Sequence, residues 1–196
     1  MTGVQTCALP ISIDALKMSD KGLLKEIQFI KNHAADIAGI GEVGMDFKES
    51  NERKKQEEIF ILFIQLAKEL NKPLIVHSRN AEEECVDVLE KMKARKVVMH
   101  CFCGSKKLIK RIVENGWMLS VPANVHYNAQ FQDLVKETPI ANLLCETDSP
   151  FLHPFREKNN EPANVIYSYK KIAEIKNISL DRVEKKIEEN FKRIFI

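Results

Sequence analysis

Four residues with metal-binding side chains each lie at or just beyond the end of a short apolar segment. They are Glu42, His77, His100 and Asp148. Carboxylates and neutral imidazoles are common ligands of divalent metals. A lone turn carboxylate, a core histidine or an aspartate that caps a turn would each be ordinary. Because all four follow strand-like segments, we expect them to form one shared cation site.

Such a ligand set suits hydrolysis of a phosphodiester. Two neighbouring cations would screen the substrate's negative charge, lower the pKa of a bound water and stabilise the leaving oxygen. The mixture of ligands does not choose among zinc, magnesium and manganese. Arg79 follows His77 by two residues on one side of a strand end, so it is either a phosphate clamp or a plain surface arginine. Ser105 and the amides of residues 104–107 begin a helix and form a candidate anion site.

The segments that carry these residues alternate between strand and helix patterns. Asp20 is expected to cap the helix that follows it, and Asn115 with Gly116 is expected to end another. Alternating strands and helices predict a parallel sheet, whose active site lies at the carboxyl ends of the strands. The strands are predicted at 37–43, 74–77, 97–101, 117–121 and 142–146.

Composition favours one soluble domain with a hydrophobic core. The chain has 196 residues, of which 44% are hydrophobic and 30% charged, with a net charge of +2. It is too apolar for a disordered protein, lacks a run of about 18 apolar residues for a membrane span, and could bind nucleic acid only through a local patch. Five cysteines in no disulfide pattern predict reduced thiols in the cytoplasm. A metal site at Cys101 and Cys103 is the weaker alternative.

The first eleven residues, M-T-G-V-Q-T-C-A-L-P-I, differ in character from the rest. They lack the basic and apolar regions of a signal peptide. They resemble the translation of a widely used sequencing adaptor. We therefore expect residues 1–11 to be a non-native tail, and residues 12–196 to be one metal-hydrolase barrel domain that begins near Ser12 or Ile13.

Five motifs resemble the TatD family of metal-dependent deoxyribonucleases, within the amidohydrolase-like hydrolases. They are G-E-V-G-M-D-F, P-L-I-V-H-S-R, M-H-C-F-C-G-S, E-T-D-S-P-F-L and N-N-E-P-A-N-V. The resemblance implies an α/β fold: a TIM (β/α)8 barrel with two divalent metal ions. It implies that Glu42 bridges both ions, that His77 and His100 bind one, and that Asp148 binds the other and accepts a proton from the attacking water.

The family's His-x-His pair at the end of its first strand has no counterpart in this sequence. If the family pattern holds, the first three strands are missing and about five strands form a partial barrel. Glu146 lies two residues before Asp148. Its role is left open: it is either a hydrogen-bond partner of a ligand or a member of a buried ion pair.

Three functions follow from these patterns. The first is a DNA phosphodiesterase, expected to be a 3′–5′ exonuclease, with DNA as its substrate and no membrane or obligate protein partner. The second is an amidohydrolase acting on amide, lactone or other small-molecule ester bonds. The third is an inactive truncated fragment, because five strands cannot close an eight-stranded barrel and two ligands would be lost. On this reading the chain has low activity even if its parent is a nuclease.

Overall fold

The computed structural model describes residues 7–8, 12–157 and 159–196. The chain divides into two compact units, Met1–Val98 with Phe195 and Met99–Ile194 with Ile196. The expected tail at residues 1–11 lies largely outside the described residues. The part that is described, Cys7–Ala8, forms a short strand. The non-native origin of that tail and the single barrel domain at 12–196 both stay predictions.

The first unit alternates strands with helices. Its strands are β1 Cys7–Ala8, β2 Ile40–Asp46, β3 Leu74–Arg79 and β4 Val97–Met99, the last residue of which begins the second unit. Its helices are α1 Ser12–Lys17, α2 Asp20–Asn32, α3 Arg53–Glu69 and α4 Glu82–Lys91. Ser19, not Asp20, caps α2: the Ser19 hydroxyl accepts the Gly22 N–H at 3.2 Å, and Asp20 lies in the first turn.

The strands of the first unit are neighbours in chain order. β1 pairs in parallel with β2, and β2 pairs in parallel with β3, with Gly44 opposite His77. The register shifts between Ile40 and Val43, so that two residues of β2, Gly41 and Glu42, stand against one residue of β3. This is a β-bulge, and bulges of this kind change where a side chain points.

Helix α3 covers β2 and fixes its carboxyl end. The sequence predicts Leu62 on the buried face, but Leu62 is 40% exposed while Phe60 and Ile64 are buried. The buried side chain of Gln56 accepts the Asp46 N–H at 2.6 Å and donates to the Asp46 and Ser50 carbonyls at 3.1 Å each. These three hydrogen bonds hold the main chain where β2 ends.

The second unit has two paired strands and four helices. Its strands are β5 Met118–Val121 and β6 Leu143–Cys145. Its helices are α5 Lys106–Glu114, α6 Ala129–Glu137, α7 Val165–Lys176 and α8 Leu180–Phe195. The strands are parallel, with Val121 opposite Cys145, and the Glu146 N–H donates to the Val121 carbonyl at 3.1 Å. Residues that follow β5 and β6 therefore leave the pair at the same edge.

The helix end predicted at Asn115 and Gly116 is confirmed in this unit. Asn115 is the C-cap of α5, and Gly116, which follows it, has a φ of +72°. The Ser179 hydroxyl caps α8 by accepting the Arg182 N–H at 3.3 Å. The Trp117 side chain is buried beside β5. Among the described residues, no helix is both long and apolar enough to cross a membrane.

Candidate functional site

In the first unit, the His77 imidazole on β3 lies between two carboxylates of β2, and the expectation that Glu42 and His77 follow their strands is wrong because both strands extend beyond them. Its Nδ1 is 3.9 Å from Oε2 of Glu42, and its Nε2 is 3.1 Å from Oδ2 of Asp46. The Asp46 side chain is only 4% exposed, whereas that of Glu42 is 33% exposed. Asp46 is therefore the buried partner of the imidazole, and Glu42 is the carboxylate that remains accessible to a ligand.

Sequence reasoning did not assign a role to Asp46. Besides its contact with His77, its Oδ1 accepts the N–H groups of Lys48 and Glu49 at 3.0 Å each. The side chain is thus fixed by the turn that follows β2. An acidic residue four positions after Glu42 on the same strand was the available signal, since side chains of even spacing lie on one face.

Gly44 allows β2 to approach the main chain of His77. A Cβ at this position would lie 1.9 Å from the His77 carbonyl oxygen, and the residue has a φ of +145°. That backbone conformation is nearly restricted to glycine. Gly44, the second glycine of the G-E-V-G-M-D-F motif, therefore allows the main chain of His77 to lie against β2.

Arg79 lies two residues beyond His77 and is 46% exposed at its side chain. Its Nη1 is 3.1 Å from Oε1 of Glu49 and 4.0 Å from Oδ2 of Asp46. The guanidinium thus lies beside Glu49 and beside Asp46, the carboxylate that also contacts His77. Its role as a phosphate clamp stays a prediction.

In the second unit, the His100 imidazole lies between two other carboxylates. Its Nδ1 is 2.5 Å from Oε2 of Glu146, and its Nε2 is 3.6 Å from Oδ1 of Asp148. The other oxygen of Glu146 accepts the Cys101 N–H at 2.9 Å. Glu146 is therefore the hydrogen-bond partner of His100, which was one of the two alternatives left open by the sequence.

The two units share one local pattern. One ring nitrogen of each histidine contacts a carboxylate that is not a predicted ligand, Asp46 or Glu146, and the other nitrogen faces the predicted ligand Glu42 or Asp148. Histidines that bind metals commonly use one nitrogen for the ion and the other for a carboxylate or carbonyl, which fixes the tautomer. The roles of His77 and His100 as metal ligands stay predictions, and their surroundings have the arrangement typical of such histidines.

A network around Asn160 holds the loop that carries Asp148. The Asn160 amide donates to the Thr147 and Phe151 carbonyls at 2.8 and 2.7 Å. Asn160 also donates its N–H to the Pro150 carbonyl at 3.0 Å, and its side chain is buried. Asp148 has a φ of +56°, a left-handed conformation that needs support from its surroundings. The N-N-E-P-A-N-V motif therefore supports the E-T-D-S-P-F-L motif.

Ser105 is the N-cap of α5, and its hydroxyl accepts the Leu108 N–H at 3.4 Å. The predicted helix start is thus confirmed. Its predicted part in binding a substrate phosphate stays a prediction.

Cys85 and Cys145 are free thiols. Cys85 is fully buried and donates its Sγ–H to the His77 carbonyl over 3.7 Å. Burial, as the largest cause, raises the pKa of the Cys85 thiol far above its ordinary value. Cys103 is exposed and lies two residues after Cys101. The buried thiol is therefore a packing group beside the site.

The candidate metal-binding residues are Glu42 and His77 in the first unit and His100 in the second. Each offers one donor atom, either a carboxylate oxygen or an imidazole nitrogen. Such donors fit zinc, and the carboxylate oxygens also fit magnesium and manganese. The donor chemistry of this structure is thus suited to a divalent metal.

A family described as TatD related DNase matches residues 9–196. The chain belongs to the TatD-related DNase family. It is 34% identical to the deoxyribonuclease TATDN3 of Homo sapiens, over 93% of this chain and 68% of the human protein. It is 37% identical to an uncharacterized metal-dependent hydrolase, MJ1582, of Methanocaldococcus jannaschii, over 92% of this chain and 71% of that protein. It is 38% identical to another, YabD of Bacillus subtilis, over 93% and 74% of the two chains.

Solved structures of TatD proteins have the same fold. The TatD homologue YJJV of Escherichia coli superimposes with a TM-score of 0.88 and 24% identity, over 97% of this chain and 75% of that one. A TatD-family hydrolase of Entamoeba histolytica gives 0.84 and 20%, over 95% and 72%. The α/β fold predicted from the sequence, part of a TIM-type barrel, is confirmed. The TatD assignment also confirms that the chain is a metal-dependent hydrolase.

Proposed function

We propose that this TatD-family hydrolase cleaves the phosphodiester bonds of DNA and removes nucleotides from the 3′ end. The observation that carries the proposal is the repeated arrangement of each histidine between an orienting carboxylate and a second carboxylate that is more exposed. The name of the human relative, a deoxyribonuclease, supports DNA as the substrate. The free thiols of Cys85 and Cys145 support the cytoplasm as the compartment.

Two divalent metal ions, zinc, magnesium or manganese, are the proposed cofactors. Glu42, His77, His100 and Asp148 are the proposed ligands. When bound, the ions screen the charge of the phosphodiester and lower the pKa of water. Asp46 and Glu146 hold the two imidazoles in the tautomer and orientation that metal binding requires.

Two further residues are proposed to handle protons and the substrate anion. Asp148 accepts the proton of the attacking water, and its left-handed backbone and the Asn160 network fix where that carboxylate stands. Arg79 pairs with a phosphate oxygen in exchange for its contact with Glu49. The amides at the start of α5, beside Ser105, are proposed to face another phosphate oxygen.

The test is cleavage of single-stranded DNA labelled at its 5′ or its 3′ end, with zinc, magnesium or manganese added in turn. A 3′–5′ exonuclease shortens the 5′-labelled strand one nucleotide at a time and releases mononucleotide from the 3′-labelled strand. Cleavage of amides or lactones with no cleavage of DNA under any metal would replace this proposal with the amidohydrolase alternative.

Two pairs of variants assign the residues. Asp148→Asn should lower kcat by about 10²–10⁴-fold, the usual contribution of a general base, and the surface variant Asp133→Asn should leave it unchanged. Arg79→Lys should raise KM for DNA because an ammonium cannot form a bidentate contact with phosphate. Glu49→Gln, which removes only the acidic partner of Arg79, should not raise it. Equal effects of Arg79→Lys and Glu49→Gln would contradict the clamp.

A further inference from the structure

Exposed aromatic side chains cluster on the loops that follow β5 and β6. Phe151 is 68% exposed, Phe155 is 47% exposed and Tyr127 is 37% exposed. Large rings with this much exposure are costly unless they have something to contact. We define the aromatic surface as these residues and their neighbours His126, Arg156 and Tyr167.

Phe155 is the centre of the aromatic surface. Its ring meets Tyr167 edge to face, with centroids 4.8 Å apart, and meets His126 at 5.0 Å. The loop around it is fixed as well, because Nδ1 of His153 accepts the N–H groups of Phe155 and Glu157 at 3.1 and 3.3 Å. Phe155 is therefore held from several sides while half of its surface remains open.

Cations stand over the same rings. The Arg156 guanidinium lies 4.4 Å from the centroid of Tyr127, and the Lys170 ammonium lies 5.6 Å from that of Tyr167. Cation–π contacts hold such side chains near the rings. A surface that combines exposed rings with positive charge complements a chain of flat bases joined by phosphates.

The aromatic surface lies at the edge of the sheet where Asp148 is found. β5 and β6 are parallel and paired, His126 and Tyr127 follow β5, and the segment 149–157 follows Asp148. The Asn160 side chain donates to the carbonyls of Thr147, just before Asp148, and Phe151, just after it, and so holds this part of the loop. A strand bound on the surface would therefore run beside the proposed general base.

We propose that the aromatic surface binds single-stranded DNA by stacking unpaired bases on Phe155 and Tyr127, with Arg156 and Lys170 contacting the phosphates. This inference rests on the proposed nuclease function and assigns the residues that hold the DNA strand near Asp148. Stacking accepts every base, because each base has a π face, and thus suits an enzyme that shortens strands of any sequence.

The test compares three ligands in Phe155→Ala, Phe155→Leu and Tyr127→Ala. The ligands are a single-stranded oligonucleotide, a strand of equal length built from abasic units, and methyl p-nitrophenyl phosphate. The two alanine variants should raise KM for the oligonucleotide about 5- to 100-fold, with little change for the abasic strand or the small phosphodiester. Phe155→Leu, which keeps the packing volume, should give a similar loss.

Phe29→Ala is the matched control, because Phe29 is 48% exposed and also stacks on a histidine, His33. Phe29→Ala should leave the KM values for the oligonucleotide, the abasic strand and the small phosphodiester unchanged. Equal losses for the abasic strand, or an equal effect of Phe29→Ala, would overturn base stacking. Fluorescence anisotropy with labelled single-stranded DNA in EDTA separates the two proposals. Binding that depends on Phe155 without any cleavage would refute the nuclease alone, and cleavage without that dependence would refute the aromatic surface alone.

Discussion

Nδ1 of His100 and Oε2 of Glu146 lie 2.5 Å apart, and the other oxygen of Glu146 accepts the N–H of the residue after the histidine, Cys101. The carboxylate thus fixes both the imidazole and the main chain that carries it. With the ring proton on Nδ1, the nitrogen that faces Asp148 presents a lone pair. The position of one proton on His100 therefore decides whether this residue can serve as a metal ligand.

The first prediction is that Glu146→Gln weakens metal binding about 10- to 100-fold. A glutamine can still accept the Cys101 N–H through its oxygen, but its amide nitrogen donates to Nδ1 and moves the ring proton to the nitrogen facing Asp148. Competition with a chromophoric chelator measures the affinity. The control is Glu188→Gln, which removes only a surface ion pair with Lys192. Unchanged affinity in Glu146→Gln would contradict the role assigned to the carboxylate.

The second prediction concerns the contact of Gly44 with His77. Gly44→Ala should lower the free energy of unfolding by about 3 kcal/mol or more, since it combines a backbone clash with a φ that alanine avoids. Gly116→Ala has a positive φ but open space around the new methyl group, so it should cost about 1 kcal/mol. Urea denaturation of both variants compares the values. Equal losses would show that β2 can move away from β3.

The third prediction is that Asn160→Asp lowers activity while the rest of the chain remains folded. The aspartate keeps an acceptor for the Glu161 N–H but loses the donors to the Thr147 and Phe151 carbonyls. The loop would then no longer hold Asp148 in its left-handed conformation. We expect at least a tenfold fall in kcat and a small change in KM, because a misplaced general base affects the chemical step. Asn128→Asp, which preserves a helix cap, is the control.

The fourth prediction separates two roles of Ser105. As an N-cap, Ser105→Ala should lower stability by about 1 kcal/mol, as should Ser179→Ala, which removes the equivalent cap of α8. If Ser105 also borders a phosphate site, only Ser105→Ala should raise KM for DNA. Equal KM values in the two variants would reduce Ser105 to a helix cap.

The fifth prediction follows from the raised pKa of the Cys85 thiol, caused by its burial. A thiol whose pKa is raised has a smaller thiolate fraction at pH 8, so iodoacetamide should modify exposed Cys103 well before Cys85. Peptide mass spectrometry of the native protein measures the order. In urea both residues should react at similar rates, because unfolding returns the Cys85 pKa to its ordinary value. Early modification of native Cys85 would contradict its burial.

Much of the fold could be predicted from apolar periodicity and turn residues. The five expected strands appear as β2 to β6. His100 and Asp148 follow β4 and β6 as predicted, whereas Glu42 and His77 lie within β2 and β3 rather than beyond their ends. The exact ends of the strands could not be predicted as well. β2, for example, extends to Asp46 rather than ending at residue 43. Strand β2 is rich in glycine, and the Gln56 side chain holds its last residue, Asp46. Apolar periodicity therefore gives little indication of where this strand ends.

The partners of the predicted ligands could be predicted only in part, because they depend on which side chains meet after folding. The sequence left Glu146 open between two roles and offered only strand spacing for Asp46, and the contacts with His100 and His77 identify both as partners. Leu62 fits a helical stripe as well as Phe60 does, yet α3 turns Phe60 and Ile64 inward. Sequence periodicity gives the existence of a buried face but not its exact centre.

The bulge at Gly41 and Glu42 means that β2 contains one residue more than β3 needs for pairing. Deleting either residue would remove the extra residue from the ladder, and it would either remove the Glu42 carboxylate or change where it points. In comparisons of TatD chains, a one-residue gap at this point would therefore mark a protein in which the proposed ligand Glu42 is absent or turned away.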